Sequence, residues 1–219
     1  MPFLCFLLFF WFTMNNFDSV APFYDTLCAM VFGRSMQRAQ TLHLSAIVPG
    51  AKVLVLGGGT GWLLDELIAR NPTCQLWYIE ASDKMLQRTR DRIKEPANTI
   101  IYILGTEDSV PENVTFDAVI THFYLDLFPP DICRKVIRNI RSSVHPDSLW
   151  LVSDFTNTTW WQGLMLFAMY RFFDVMGCGI EARSMPDWKS LLEENGFYEV
   201  RYQSFYRKFI RSSLFGLRR

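Results

Sequence analysis

Residues Val53–Leu67 read VLVLGGGTGWLLDEL, and this stretch decides the fold. Its first four residues are apolar and partly β-branched, the pattern of a short strand buried on both faces. Its last six carry Leu63, Leu64 and Leu67 at helical spacing. Between them stand Gly57, Gly58, Gly59, Thr60 and Gly61. Glycines let a backbone turn sharply and approach a ligand with no Cβ in the way. The helix that follows offers unpaired N–H groups and the positive end of its dipole. A glycine turn at a strand–helix junction is therefore expected to hold the polar part of a nucleoside ligand.

Working outward, the same rhythm repeats. Short apolar runs at Lys52–Leu56, Gln75–Ile79, Thr99–Leu104, Phe116–Thr121 and Ser148–Ser153 alternate with helical patterns at 60–70, 82–94, 130–144, 160–176 and 186–194. Phe197–Gln203 and Phe205–Ile210 are expected to be two final strands. The reading is an α/β fold: a doubly wound, Rossmann-like, mostly parallel seven-stranded sheet with helices on both faces. Residues 15–50 are expected to form an N-terminal helical cap, broken at Gly33, and 51–219 the ligand-binding domain. In such sheets ligands sit beyond the carboxyl ends of the strands, where strand order reverses.

Glu80 ends the second strand, nineteen residues after Gly61. A carboxylate there can accept two hydrogen bonds from the 2′- and 3′-hydroxyls of a ribose; the plainer alternative is a cap on the next helix. A phosphate loop would need Gly-Lys-Ser/Thr, and Gly61 is followed by Trp62. A nicotinamide dehydrogenase needs G-x-G-x-x-G, and here Trp62 stands where the last glycine or alanine belongs. About fifty residues also precede the first strand.

The segment resembles motif I of the class I S-adenosylmethionine-dependent methyltransferases, whose loop reads G-x-G-x-G. Glu80-Ala81-Ser82-Asp83-Lys84-Met85-Leu86 is similar to the second-strand motif of that family. Phe17–Asp25, FDSVAPFYD, and Leu191–Phe197, LLEENGF, are similar to the quinone-biosynthesis branch. The resemblance implies S-adenosylmethionine as cofactor and methyl transfer as the reaction. It implies cofactor contacts from Tyr24, Gly57 to Gly61 with Thr60, Glu80, Ala81, Ser82, Met85, Thr106, Glu107, Asp108, His122 and Phe123. One departure stands out: many members carry an acid two residues before the first glycine, where this chain has Val55. A nicotinamide-dependent oxidoreductase and a non-catalytic cofactor-binding module remain the alternatives.

The end of the fourth strand, Thr121–Pro130, is expected to border the transferred methyl. His122 is the candidate base, with Asp126 beside it and Asp154 at the end of the fifth strand. Tyr124, Asp154 and Trp161 are candidate acceptor contacts. Residues 160–176, WWQGLMLFAMYRFFDVM, are expected to form either a core helix or a lid over an apolar acceptor pocket. Met and aromatic content here and at Tyr24, Phe123 and Phe128 favours a small apolar or aromatic acceptor.

Composition narrows the partners. The 22 basic and 22 acidic residues cancel, which leaves no excess to hold a nucleic-acid backbone. Five scattered cysteines, with no C-x-x-C, imply neither a disulfide framework nor a zinc site, and fit a reducing, cytoplasmic setting. Phe3–Phe12, FLCFLLFFWF, is too short as a helix for a bilayer. Residues 1–14 are expected to be an apolar extension: a non-native start, a packed helix, or a membrane-surface contact.

Overall fold

The computed structural model describes residues 17–94, 99–178, 180, 182 and 184–218. The run Phe3–Phe12, and every expectation attached to residues 1–14, lies outside the described residues. Seven strands form one sheet: β1 (Lys52–Leu56), β2 (Gln75–Glu80), β3 (Thr99–Leu104), β4 (Phe116–His122), β5 (Val144–Phe155), β6 (Phe197–Phe205) and β7 (Ile210–Leu217). Their order is β3-β2-β1-β4-β5-β7-β6. β1 to β5 are parallel, and β7 runs antiparallel between β5 and β6. The chain winds outward from β1 through β2 to β3, then returns to start β4 on the other side of β1. That reversal opens a crevice at the carboxyl ends of β1 and β4.

The apolar run of β1 is buried because both faces of the sheet are covered. Val53 and Val55 meet Leu63, Leu64 and Leu67 of α3 (Trp62–Arg70). Leu54 and Leu56 belong to the core on the other face, with Val136, Ile137 and Ile140 of α5 (Pro130–Arg141) and Leu191 and Leu192 of α7 (Trp188–Glu194). Each such side chain contributes about 1.5–3 kcal/mol of burial. Between them, α4 (Asp83–Arg92) is capped by Ser82, whose Oγ accepts from Met85 N at 3.1 Å.

Ahead of the sheet come α1 (Tyr24–Phe32) and α2 (Ser35–Thr41), which part at Gly33, where φ is +56°. Side chains bind this segment to the sheet. Asp25 accepts from Thr60 Oγ1 and from Arg92, both at 2.7 Å. Ser153 Oγ and Ser212 Oγ donate to Ala39 O at 3.0 and 2.7 Å. The 160–176 pattern is α6 (Trp160–Val175), opened by a capping box of Thr159 and Gln162.

The last strand departs from the sequence reading. β7 begins at Ile210, where Phe205–Ile210 was expected to end, because residues 206–208 form the hairpin turn. Tyr206, Arg207 and Lys208 all have positive φ, 45°, 54° and 66°. No glycine or asparagine announces this turn, so a pattern reading runs the strand through it.

Candidate functional site

The glycine loop is built as tightly as its sequence suggests, but much of the space it saves goes to protein. A Cβ on Gly58 would lie 2.2 Å from the Tyr78 ring, and one on Gly57 would lie 2.4 Å from Tyr124 Cδ2. Gly57 also has φ +63°, a region costly for other residues. Gly59 alone faces open space, and its carbonyl accepts from Tyr78 Oη at 3.0 Å and Thr89 Oγ1 at 2.9 Å. The loop is held from behind and open in front.

Glu80 is buried beside it. Its Oε2 accepts from Gly59 N and its Oε1 from Ser82 N, both at 2.9 Å. Burial pushes its carboxyl above the usual carboxylate range, while these N–H groups pull it back. The helix cap is Ser82, so Glu80 ties the loop to the second strand instead. Each oxygen retains accepting capacity, and the carboxylate lines a cavity of about 360 Å³.

That cavity brings together Tyr24, Gly57, Gly59, Glu80, Ala81, Met85, Thr106, Glu107, Asp108 and Phe123. Gly58, Thr60 and His122 line an adjoining cavity of about 210 Å³, with Asp25, Gln37, Gln40 and Arg92 on its other side. Two expected cofactor contacts line neither. Ser82 donates to Asp18 of the N-terminal segment, and Gly61 turns toward Thr89, 2.7 Å from where its Cβ would be. Tyr124, expected on the acceptor side, stands in the larger cavity instead. Its Oη donates to Glu107 Oε2 at 2.8 Å.

A third cavity, about 270 Å³, is walled by α1 and α6 through Leu27, Cys28, Val31, Phe32, Met165, Met169, Phe172 and Phe173. Asp126 is the one carboxylate on its wall among the described residues. Tyr24 and Phe123 border all three cavities. Phe123 holds φ +53° there, a strained conformation of the kind concentrated at functional sites. One side of α6 lines the cavity while Trp160, Leu164 and Phe167 are exposed on the other.

The remaining candidates fall apart. His122 borders the 210 Å³ cavity and not the apolar one; both ring nitrogens lack partners, and burial drives its pKa down to about 3. A neutral imidazole of such low basicity, set away from the apolar cavity, is poorly placed as a base. Trp161 packs on Phe209, ring centroids 5.5 Å apart, and lines none of the three cavities. Asp154 is fully buried behind Asp126, accepting from Phe155 N at 2.9 Å and Asp126 N at 3.3 Å. Burial raises both carboxyls, and for Asp154 the neighbouring Asp126 adds to the rise. Sequence reasoning missed Cys28, Phe32 and Phe155, because nothing in their local pattern separates a cavity wall from core.

Comparisons with known proteins agree with this geometry. Residues 53–147 match a methyltransferase-domain family. The chain is 27% identical over 185 residues to a ubiquinone/menaquinone biosynthesis C-methyltransferase of Ralstonia pickettii, covering 82% of this chain and 74% of the relative. It is 29% identical to the enzyme of that description from Ralstonia nicotianae, covering 68% of this chain and 61% of the relative. The matched stretch thus spans about three fifths to three quarters of these two relatives. Among solved structures, a putative methyltransferase from a complex of the Haloferax volcanii Trm112 activator superposes with a TM-score of 0.71 at 13% identity, covering 94% and 98% of the two chains. Magnesium protoporphyrin IX methyltransferase of Synechocystis with bound S-adenosylhomocysteine gives 0.61 at 18% identity, covering 85% and 87%. At such identities these two show the fold alone. Taken with the glycine loop, Glu80 and the strand order, the sequence matches show that this chain carries a class I S-adenosylmethionine-dependent methyltransferase domain and is a distant relative of the ubiquinone/menaquinone C-methyltransferases.

Proposed function

We propose that the protein transfers the methyl group of S-adenosylmethionine to a small apolar or aromatic acceptor seated between α1 and α6. The observation that carries this is the meeting of three cavities at Tyr24 and Phe123, one lined by Glu80, Glu107 and Asp108, one beside the glycine loop, one apolar. In this reading Glu80 accepts from the ribose hydroxyls. Thr106, Glu107 and Asp108 face the adenine, with Glu107 oriented by Tyr124. Gly57 to Thr60 and Gln40 border the methionine arm. With Val55 in place of an acid, the loop carbonyls and Asp25 take up its amine.

The cofactor supplies an activated methyl on a positively charged sulfur. Tyr24 and Phe123 offer that charge their aromatic faces, an attraction that fades once the sulfur becomes neutral. The apolar walls hold the acceptor in line and exclude water; positioning of this kind supplies about 7–11 kcal/mol of a barrier at best. The quinone-biosynthesis relatives favour a quinol-like ring as acceptor, and five scattered cysteines with no C-x-x-C fit a cytoplasmic reaction. Among the described residues no helix is long and apolar enough to cross a membrane.

The test is methyl transfer from tritiated S-adenosylmethionine to a panel of apolar hydroxylated rings and to polar amines of similar size. Label is expected in the apolar rings, with Met169→Glu abolishing transfer while cofactor affinity stays within twofold. Transfer confined to the polar amines would overturn the reading.

A further inference from the structure

α6 differs from the other long helices in what it shows to solvent. α4 exposes Lys84, Gln87 and Arg88, and α5 exposes Asp131, Lys135 and Arg138, as helices facing water do. α6 exposes Trp160, Leu164, Phe167, Arg171 and Val175. Steps of three and four residues set these side chains in one stripe along the helix. The stripe runs the full length of α6, with Trp160 83% and Val175 79% exposed at its two ends. A contiguous apolar patch of this kind marks a contact with a partner or with a membrane.

Charge decides between them. The chain as a whole is neutral, yet the segments around the start of α6 are basic. Arg34 precedes α2, Arg38 lies within it, and Arg207 and Lys208 form the turn between β6 and β7. All four are exposed, and none has an acidic partner among the described residues. That turn adjoins both helices of the cavity. Lys208 O accepts from Gln162 Nε2 of α6 at 3.2 Å, and Tyr206 packs on Phe32 of α1, ring centroids 5.2 Å apart. Arg38 lies over the Phe205 ring, 5.7 Å from its centroid. Of the acids on α1 and α6, Asp25 binds Thr60 and Arg92, and Asp174 pairs with Arg171 at 3.7 Å. An apolar stripe that opens on Trp and is flanked by cations is the pattern of a helix lying in the interface of an anionic bilayer.

Two contacts point the same way. Phe17, the first described residue, packs on Phe173 of α6, ring centroids 5.4 Å apart, so the apolar stretch Phe3–Phe12 joins the fold beside this helix. Ala168, exposed at the edge of the stripe, also lines the apolar cavity. At 16 residues α6 is about 24 Å long, which is too short to cross a bilayer core and long enough to lie on one. We propose that α6 docks on an anionic lipid surface, with its apolar stripe in the acyl boundary and the cations of α2 and the β6–β7 turn among the headgroups. Docking sets the edge of the apolar cavity at Ala168 against the lipid. It stands apart from the reaction proposed above, and its failure leaves that reaction untouched.

The test is co-sedimentation of the full chain with vesicles of phosphatidylcholine, alone or with about 30% phosphatidylglycerol. Binding to the anionic vesicles is expected to be about tenfold tighter than to the neutral ones, and to weaken as salt rises. Trp160→Gln, Leu164→Gln and Phe167→Gln together should cut it about tenfold, with S-adenosylhomocysteine affinity within about twofold and Tm not lowered. Arg207→Gln with Lys208→Gln should reduce the preference for phosphatidylglycerol about threefold or more. A triple variant that sediments like the wild type overturns the proposal. So does binding lost only when Leu7→Glu and Phe10→Glu interrupt the N-terminal run, which gives the lipid contact to residues 3–12 alone. A wild type that binds neither vesicle overturns it as well; if it then dimerises, and the triple variant does not, the stripe is a face between two copies of this chain.

Discussion

The cavity beside Glu80 and the glycine loop and the apolar cavity between α1 and α6, proposed for cofactor and acceptor, are made of different material. The first is made of strand ends and the turns that follow them, all within residues 57–132 apart from Phe17 and Tyr24. Its glycine loop leaves no room for a Cβ at Gly57 or Gly58, and beside the loop stand the side chains of Glu80, Met85, Glu107 and Tyr124. The second joins α1 and α6, more than a hundred residues apart in the chain, through Met, Phe and Leu side chains. Backbone-defined sites tolerate almost no change, whereas a wall of Met and Phe can repack around a new shape.

The largest expected effect is on the rigid side. Gly58→Ala places a methyl 2.2 Å from the ring of Tyr78, which is 0% exposed and cannot withdraw. Overpacking of this kind costs about 2–3 kcal/mol. That is about 4–12 °C of Tm for a chain of this size, readable by calorimetry together with loss of cofactor binding. Met169→Leu, on the deformable side, should leave Tm within about 2 °C, since near-isosteric swaps cost under about 1.5 kcal/mol. Equal losses at the two positions would erase the distinction.

Next is Glu80→Ala. With about 1.5–3 kcal/mol resting on its hydrogen bonds, affinity for S-adenosylmethionine should fall ten- to a hundredfold by titration calorimetry. Unchanged affinity would leave Glu80 with only its contacts to Gly59 and Ser82.

Smaller effects separate the sides by pH. The carboxyls of Asp126 and Asp154 are raised in the folded protein, so the fold binds their proton more tightly than the unfolded chain does. That contribution to stability is complete below about pH 4, the unfolded value, and is lost as pH rises through the folded one. Asp126→Asn should therefore gain Tm over the wild type on going from pH 5 to pH 8. His122 has the opposite sign. Its pKa falls to about 3, so its contribution is complete above its ordinary 6.5 and is lost as pH drops toward 3. His122→Leu should flatten the acid limb of the Tm–pH curve between pH 6.5 and 4 and leave the alkaline limb unchanged.

The same contrast governs what could be read from sequence. β1, its glycine loop and α3 are local features, and a short continuous apolar run meeting a helical run shows where they lie. Glu80 follows from its distance to the loop. The sheet order follows from alternation of strands and helices, until the antiparallel hairpin hides its turn in Tyr206, Arg207 and Lys208. The acceptor cavity is non-local. Cys28, Phe32 and Phe155 are apolar residues in apolar surroundings, and only the packing of α1 against α6 shows that they border space. Tyr124 was expected as an acceptor contact; a residue after β4 can turn either way, and its hydroxyl donates to Glu107 in the cavity that Glu80 lines. The pairing of Asp126 with Asp154 was equally hidden, since 28 residues separate two unremarkable aspartates.

The most direct measurement is a crystal structure of the full chain with S-adenosylhomocysteine. The account predicts the ribose hydroxyls on Glu80, the adenine beside Thr106 to Asp108, and the sulfur between Tyr24 and Phe123, facing the cavity of Met165 and Met169. A ribose bound away from Glu80, or a sulfur shut off from that cavity by protein, would contradict it.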